Sequence, residues 1–148
     1  MGVTTGIRLF EGAEELDFVG PFEVFTMAAM GREGDRVVTI AERAEPVRAA
    51  KGMRIVPDHD FASAPSLDVL VVPGGQGTRT EVANPVLIEW LRGAAGPCQW
   101  VTSVCTGALL LHEAGLARGK RVTTHWGFVE ALRQRGDVEV LERVRYVR

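Results

Sequence analysis

Leu67–Val72 is an apolar run, broken only by Asp68, that stops at Pro73-Gly74-Gly75. A strand apolar on both sides has no face to give to water, so this run fits the centre of a parallel sheet covered by helices on both faces. The flanking segments agree. Gly6–Phe10 predicts a first strand and Arg36–Glu42, with Val37, Val38 and Ile40, a second. Between them Phe22, Phe25 and Ala29 keep helical spacing, with Pro21 placed in the first turn of that helix and Gly31 and Gly34 after its end. Val47–Ala50 and Met53–Val56, joined through Lys51-Gly52, predict a small hairpin.

A helix follows Asn84-Pro85, carries Val86, Leu87, Trp90 and Leu91, and stops around Gly93–Gly96. Then come a strand over Cys98–Val104, a helix over Thr106–Leu116, a strand over Arg121–Thr124, a helix over Phe128–Arg135 and a strand over Val138–Leu141. Strands and helices alternating at this spacing imply an α/β fold with a mostly parallel sheet. With 148 residues and neither a repeat nor a linker, the expectation is one domain over residues 1–148.

The charge balance excludes one class of partner. Net charge is −2 and the basic residues are scattered, so no basic stripe offers this chain a nucleic acid. Arg118-Gly119-Lys120-Arg121 and Arg143-Val144-Arg145 read as solvated surface. No apolar run approaches the length of a membrane span. The N-terminal residues lack a secretion signal, and Gly6 stands where myristoylation needs Ser or Thr. Cys98 and Cys105 flank a predicted strand, which holds them roughly 20 Å apart and rules out a mutual disulfide. The expected location is the cytoplasm.

Cys105 stands where the Cys98–Val104 strand meets the Thr106–Leu116 helix. A sharp strand-to-helix turn lifts one side chain clear of the sheet, and unpaired N–H groups at a helix start favour a thiolate. Gly107 lets a substrate or a neighbouring backbone come close. The local pattern leaves two readings open, a nucleophile and a small buried core cysteine; the literal G-x-S-x-G of serine hydrolases is absent. Ligands of parallel sheets bind beyond the carboxyl ends of the strands. Four features converge there: the loop holding Asp17, Pro73-Gly74-Gly75, Cys105-Thr106 and His125. Spacing alone favours Asp17 as an N-terminal cap over an acid. A carboxyl desolvated by Leu16, Phe18 and Phe22 would titrate high and could shuttle a proton.

Other polar residues carry less. His125 reads as a supporting residue bonded at a strand end, and His59 and His112 lack a constellation. Asp58-His59-Asp60 has no matching second ligand pair, so no metal is expected. Gly74-Gly75-Gln76-Gly77 matches neither G-x-G-x-x-G nor a Walker pattern, which leaves close backbone approach to a small ligand. Trp90, Trp100 and Trp126 read as packing residues, with Trp126 also a possible pocket wall beside Phe18 and Val19.

Four ordered segments together resemble the ThiJ/PfpI branch of the class I glutamine-amidotransferase-like superfamily: Leu16-Asp17-Phe18-Val19-Gly20-Pro21-Phe22-Glu23-Val24, Leu67–Gly75, Thr102-Ser103-Val104-Cys105-Thr106-Gly107-Ala108 and Ala114–Trp126. Within it, Asp in place of the usual Glu, Cys105-Thr106-Gly107 and Thr123-Thr124-His125-Trp126 resemble isocyanide hydratases and the amino-terminal domains of AraC-type transcription regulators. The resemblance implies a flavodoxin-like three-layer sandwich, often a homodimer, working without a cofactor on a small electrophilic substrate. It implies Cys105 as nucleophile, Asp17 as its carboxylic partner and Thr106 beside it. Backbone N–H groups around Gly74, Gly75, Thr106 and Gly107 would then meet the substrate and its developing negative charge. Thr106 stands where protease-like members carry His, which excludes a Cys–His pair there. Members of that family normally continue with a Gly-rich strand and a long helix that this sequence, ending at Arg148, lacks. The expectation is a C-terminally incomplete domain or, for a shortened natural protein, an exposed sheet surface. Hydratase, glyoxalase or deglycase, ligand sensor and redox sensor are the functions this pattern leaves in play.

Overall fold

The computed structural model describes residues 2–148. β1 (Thr4–Arg8) is followed by α1 (Glu15–Ala29), β2 (Arg36–Ile40) and the strand pair β3 (Val47–Arg48) and β4 (Arg54–Ile55). Then come β5 (Val69–Val72), the single turn α2 (Thr78–Glu81), α3 (Pro85–Ala95), β6 (Trp100–Ser103) and α4 (Gly107–Glu113). After α4 lie β7 (Arg121–Val122), a 3-10 turn over Trp126–Phe128, α5 (Val129–Gln134) and β8 (Glu139–Val140).

The central sheet has the order β2-β1-β5-β6 and every pairing in it is parallel. Arg8 pairs with Ile40 and Val72 with Ser103, which aligns the carboxyl ends on one edge. Helices flank this sheet, the flavodoxin-like arrangement that the resemblance implies. β5 is buried at all four positions, as its apolar run requires. Ile7, Leu9, Ile40, Leu70, Val72, Leu87, Leu91 and Leu110 have no exposed surface. Each such side chain contributes about 1.5–3 kcal/mol of burial. α3 begins where the sequence places it: the Asn84 side chain accepts from Val86 N–H at 3.1 Å and Leu87 N–H at 3.3 Å, with Pro85 in the first turn.

Three expectations change. α1 starts at Glu15, so Pro21 lies inside the helix rather than in its first turn. Its missing N–H leaves the Asp17 carbonyl without a helical partner, and the helix forms anyway because Phe18 packs into the core. Asp17 is thereby carried on the first turn of α1, not in the loop before it. β6 is half-exposed rather than buried, since among the described residues it pairs on one side only. β7 and β8 stay outside the central sheet and pair with each other over a small core of Ala108, Leu109 and Leu132.

Arg8, within a strand read as apolar, is 1% exposed. Its guanidinium lies 4.6 Å from the Phe61 ring centre and 3.8 Å from the Glu81 carboxylate, and Nη1 donates to the Ile40 carbonyl at 3.4 Å. Burial lowers its pKa to about 10, with Glu81 and Glu42 opposing the shift. Breaking one side of a buried pair costs more than replacing the whole of it. Glu81→Gln is therefore expected to lose roughly 3 kcal/mol in urea denaturation, whereas Arg8→Met with Glu81→Gln should recover most of the loss.

Candidate active site

Cys105 sits at the carboxyl edge of the sheet with φ +54°, a left-handed conformation that costs a non-glycine residue about 1–2 kcal/mol. Surrounding bonds hold it there. Val104 N–H donates to the Val72 carbonyl at 3.0 Å, Gly107 N–H to the Val104 carbonyl at 2.9 Å, and the Thr124 hydroxyl to the Cys105 carbonyl at 2.9 Å. A Cβ on Gly107 would strike the Val72 and Pro73 carbonyl oxygens, so this glycine admits neighbouring backbone and seats α4 on the end of β5.

Asp17 is 8% exposed. Its carboxylate does not cap α1; Oδ2 accepts from Gly74 N–H at 3.1 Å, and the carboxyl lies against the Cys105 thiol. Burial raises its pKa, and the Gly74 N–H bond and the thiol oppose the rise. Of the residues expected to desolvate it, only Phe18 is buried; Leu16 and Phe22 are exposed. Phe18 and the Gly74 turn exclude water instead. Burial and then the Asp17 charge raise the Cys105 pKa, while the Thr106 N–H and hydroxyl lower it. The helix start alone thus does not make a thiolate, as the sequence suggested. The Asp17 charge works against ionisation of Cys105, so a thiolate is favoured when Asp17 holds the proton.

Thr106 is 2% exposed, and its hydroxyl accepts from Gly75 N–H at 3.0 Å. The N–H groups of Gly74, Gly75 and Gly107 are each engaged, by Asp17, Thr106 and Val104 respectively. The two loop glycines hold the acid and the hydroxyl in place. Nothing larger than hydrogen fits on Gly74: a Cβ would lie 2.5 Å from Thr106 N, 2.7 Å from its Oγ1 and 2.9 Å from Asp17 Oδ2.

His125 caps the 3-10 turn, its Nδ1 accepting from Gly127 N–H at 3.1 Å. Trp126 is 85% exposed. Cys98 is half-buried, with Sγ 3.1 Å from the Ala94 carbonyl, and burial raises its pKa. Both cysteines are free. Asp58 spends its carboxylate on Thr39 N–H and hydroxyl, each at 2.8 Å, and Asp60 on Ser63. Among the described residues no three His, Cys, Asp or Glu side chains gather as metal ligands, and no helix is long and apolar enough to cross a membrane.

Sequence reasoning missed Thr78 and Arg79. Thr78 is fully buried, with its hydroxyl 2.8 Å from the Gly75 carbonyl and 3.2 Å from Thr106 Oγ1. Arg79 Nη1 donates to the same carbonyl at 2.8 Å. A hydroxyl and a guanidinium directly after a glycine-rich turn were the available signal.

The chain is similar to known proteins. The isonitrile hydratase of Pseudomonas putida is 35% identical over 144 residues, 97% of this chain and 61% of that protein. The transcriptional regulator GbdR of Pseudomonas aeruginosa is 32% identical over 131 residues, 87% of this chain and 35% of the regulator. The crystal structure of a ThiJ/PfpI family protein from Pseudomonas syringae superposes with a TM-score of 0.88 at 29% identity, covering 100% of this chain and 60% of that one. The chain thus spans at most about three fifths of each of these three. The DJ-1/PfpI family pattern matches residues 5–148, and the chain belongs to the DJ-1/PfpI family.

Proposed function

We propose that this chain carries the catalytic site of a cysteine-dependent, cofactor-free hydratase that converts an isonitrile to its N-formamide. The observation that supports this most is the Gly74 turn, whose N–H donates to Asp17 Oδ2 at 3.1 Å and whose added Cβ would lie 2.9 Å from that oxygen and 2.5 Å from Thr106 N, so the buried carboxyl and Cys105-Thr106 meet at one turn. Transfer of the Cys105 proton to the Asp17 carboxylate sets a nucleophile and a proton donor side by side. Sulfur attacks the terminal carbon of R–N≡C and that carbon takes the Asp17 proton, giving the thioimidate R–N=CH–S–Cys105. The Asp17 carboxylate then removes a proton from water as the oxygen bonds to carbon. The C–S bond breaks, nitrogen is protonated and R–NH–CHO leaves. The sum is isonitrile plus water, and covalent catalysis divides one hard addition into two easier ones. The Thr106 N–H supports charge on sulfur during the cycle; Gly74 and Gly75 hold the acid and the hydroxyl, and His125 supports the site as the cap of the 3-10 turn. A small, weakly polar electrophile suits a site with one proton shuttle and no cluster of arginines.

The exposed apolar side chains Leu16, Val24 and Met27 of α1 and Met30 just after it support the expected homodimer, and the absence of a basic stripe supports a partner other than nucleic acid. The expected location remains the cytoplasm.

Absorbance assays with an aryl isonitrile test the activity. Formamide should appear with the parent chain and not with Cys105→Ser. Cys105-dependent turnover of methylglyoxal instead would transfer the site to glyoxalase chemistry. The similarity to GbdR favours a second reading, a ligand-sensing domain. Saturable binding of a small electrophile with neither turnover would support it.

A further inference from the structure

Beyond α4 the chain leaves the central sheet: β7 and β8 pair with each other, and Val122, Phe128, Val138 and Val140 pack around Ala108, Leu109 and Leu132. Polar contacts fasten this part of the chain at both ends of α4. At the far end, Arg135 Nη1 donates to Glu113 Oε2 at 2.9 Å, and His112 Nε2 lies 2.9 Å from the Gly136 carbonyl oxygen. At the site end, the Thr124 hydroxyl donates to the Cys105 carbonyl at 2.9 Å. Four residues on, the Phe128 ring carries the Arg79 guanidinium 4.3 Å from its centre, while Arg79 Nη1 donates to the Gly75 carbonyl at 2.8 Å. That oxygen also accepts from the Thr78 N–H at 3.2 Å and the Thr78 hydroxyl at 2.8 Å, so it is satisfied without Arg79. What Arg79 adds is the link to Phe128.

We infer that Arg79 and Phe128 are positioning residues for Cys105: their contact clamps the Thr124–Phe128 turn to the Gly75 turn and keeps the Thr124 hydroxyl on the Cys105 carbonyl. Its bearing on catalysis rests on Cys105 being the nucleophile of the proposed function. Two properties of the site make the clamp matter. The turn transmits it as one piece, because Gly127 N–H donates to His125 Nδ1 at 3.1 Å and Phe128 N–H to the His125 carbonyl at 2.8 Å. Cys105 itself holds φ +54°, a conformation that persists only while its surroundings impose it. The opposite wall is already fixed, with Gly75 N–H donating to Thr106 Oγ1 at 3.0 Å. Contacts therefore close a circuit from Cys105 through Thr106, Gly75, Arg79, Phe128 and Thr124 back to Cys105. Opening it at Arg79 or Phe128 frees the turn, and the Cys105 elbow loses one of its restraints.

The test pairs hydrogen exchange with kinetics, after thermal melts have confirmed that each variant is folded. Arg79→Met and Phe128→Leu should each speed amide exchange in the peptide covering residues 123–128 by roughly threefold to tenfold, the range of one partly exposed cation–π contact. Each should lower kcat for an aryl isonitrile by a similar factor with KM unchanged. Arg79→Lys and Phe128→Tyr keep a cation over a ring and should restore both readings. The double variant should be no worse than either single one. Thr124→Val should reproduce the loss of kcat, and Arg79→Met should lower it no further in that background. Arg135→Met removes a link at the other end of α4 and should leave kcat alone; an equal loss there would mean general loosening and overturn the inference. So would unchanged exchange in both single variants, faster exchange at an unchanged kcat, or losses that add in the double variant, each of which leaves the proposed function standing. Absence of turnover in the parent would remove the proposed function, and the exchange data would then decide the clamp by themselves.

Discussion

Asp17→Asn should abolish isonitrile turnover, by about 10²–10⁴-fold, while leaving the fold as stable as the parent or more so. The amide keeps an oxygen for Gly74 N–H but has no acidic proton to deliver. The stability half follows from the sign of the shift. Burial raises the Asp17 pKa above its unfolded value, so between the two values the native state holds more protons than the unfolded chain. Asp17 therefore weakens the fold as pH rises through that window, and its protonated form weakens it least. An amide cannot ionise and escapes that cost. Urea denaturation across pH 4–8 should show a decline in the parent that Asp17→Asn flattens. A variant less stable than the parent at pH 7 would show that the carboxylate form is the one the fold was built around.

Gly74→Ala is the second large effect. The added methyl would meet Thr106 N, Thr106 Oγ1 and Asp17 Oδ2, all within 3.0 Å, so relief displaces the groups that surround the thiol. A displacement of about 1 Å in such a site costs on the order of 10²-fold in rate. Both Cys105 alkylation at neutral pH and isonitrile turnover should fall together. Gly93→Ala is the control: no atom lies within 4 Å of a Cβ there, and alanine in a helix interior is worth about 0.5–1 kcal/mol over glycine. It should raise stability without touching reactivity. Equal reactivity in the two variants would mean that the Gly74 turn does not define the site.

The parts of the fold that patterning specifies were legible in the sequence. The β5 run, the Asn84-Pro85 start of α3 and the β3–β4 pair rest on burial, capping and turn chemistry that adjacent residues carry. Pro21 misled because its local preference for a first turn lost to the packing of Phe18, a long-range effect. Arg8 was unreadable for the same reason: its ion pair with Glu81 joins residues 73 positions apart. At the site, the order of Asp17, Gly74-Gly75 and Cys105-Thr106 was visible as convergence at strand ends. The assignment of each N–H was not. Gly74 and Gly75 offered donors, but which side chain takes them depends on how α1 and α4 meet above β5. Thr78 and Arg79 were passed over because a one-turn helix has no periodicity, and only their side-chain types after the glycine-rich turn marked them.

The central claim is that Cys105 forms a covalent bond to the substrate carbon, and trapping that bond tests it most directly. An aryl isonitrile is mixed with the protein, quenched in acid within one turnover, and measured by intact mass followed by peptide mapping. The account predicts a thioimidate confined to the peptide that contains Cys105 and absent from Cys105→Ser. Formamide produced at the parent rate by Cys105→Ser, or an adduct carried on Cys98 alone, would contradict it.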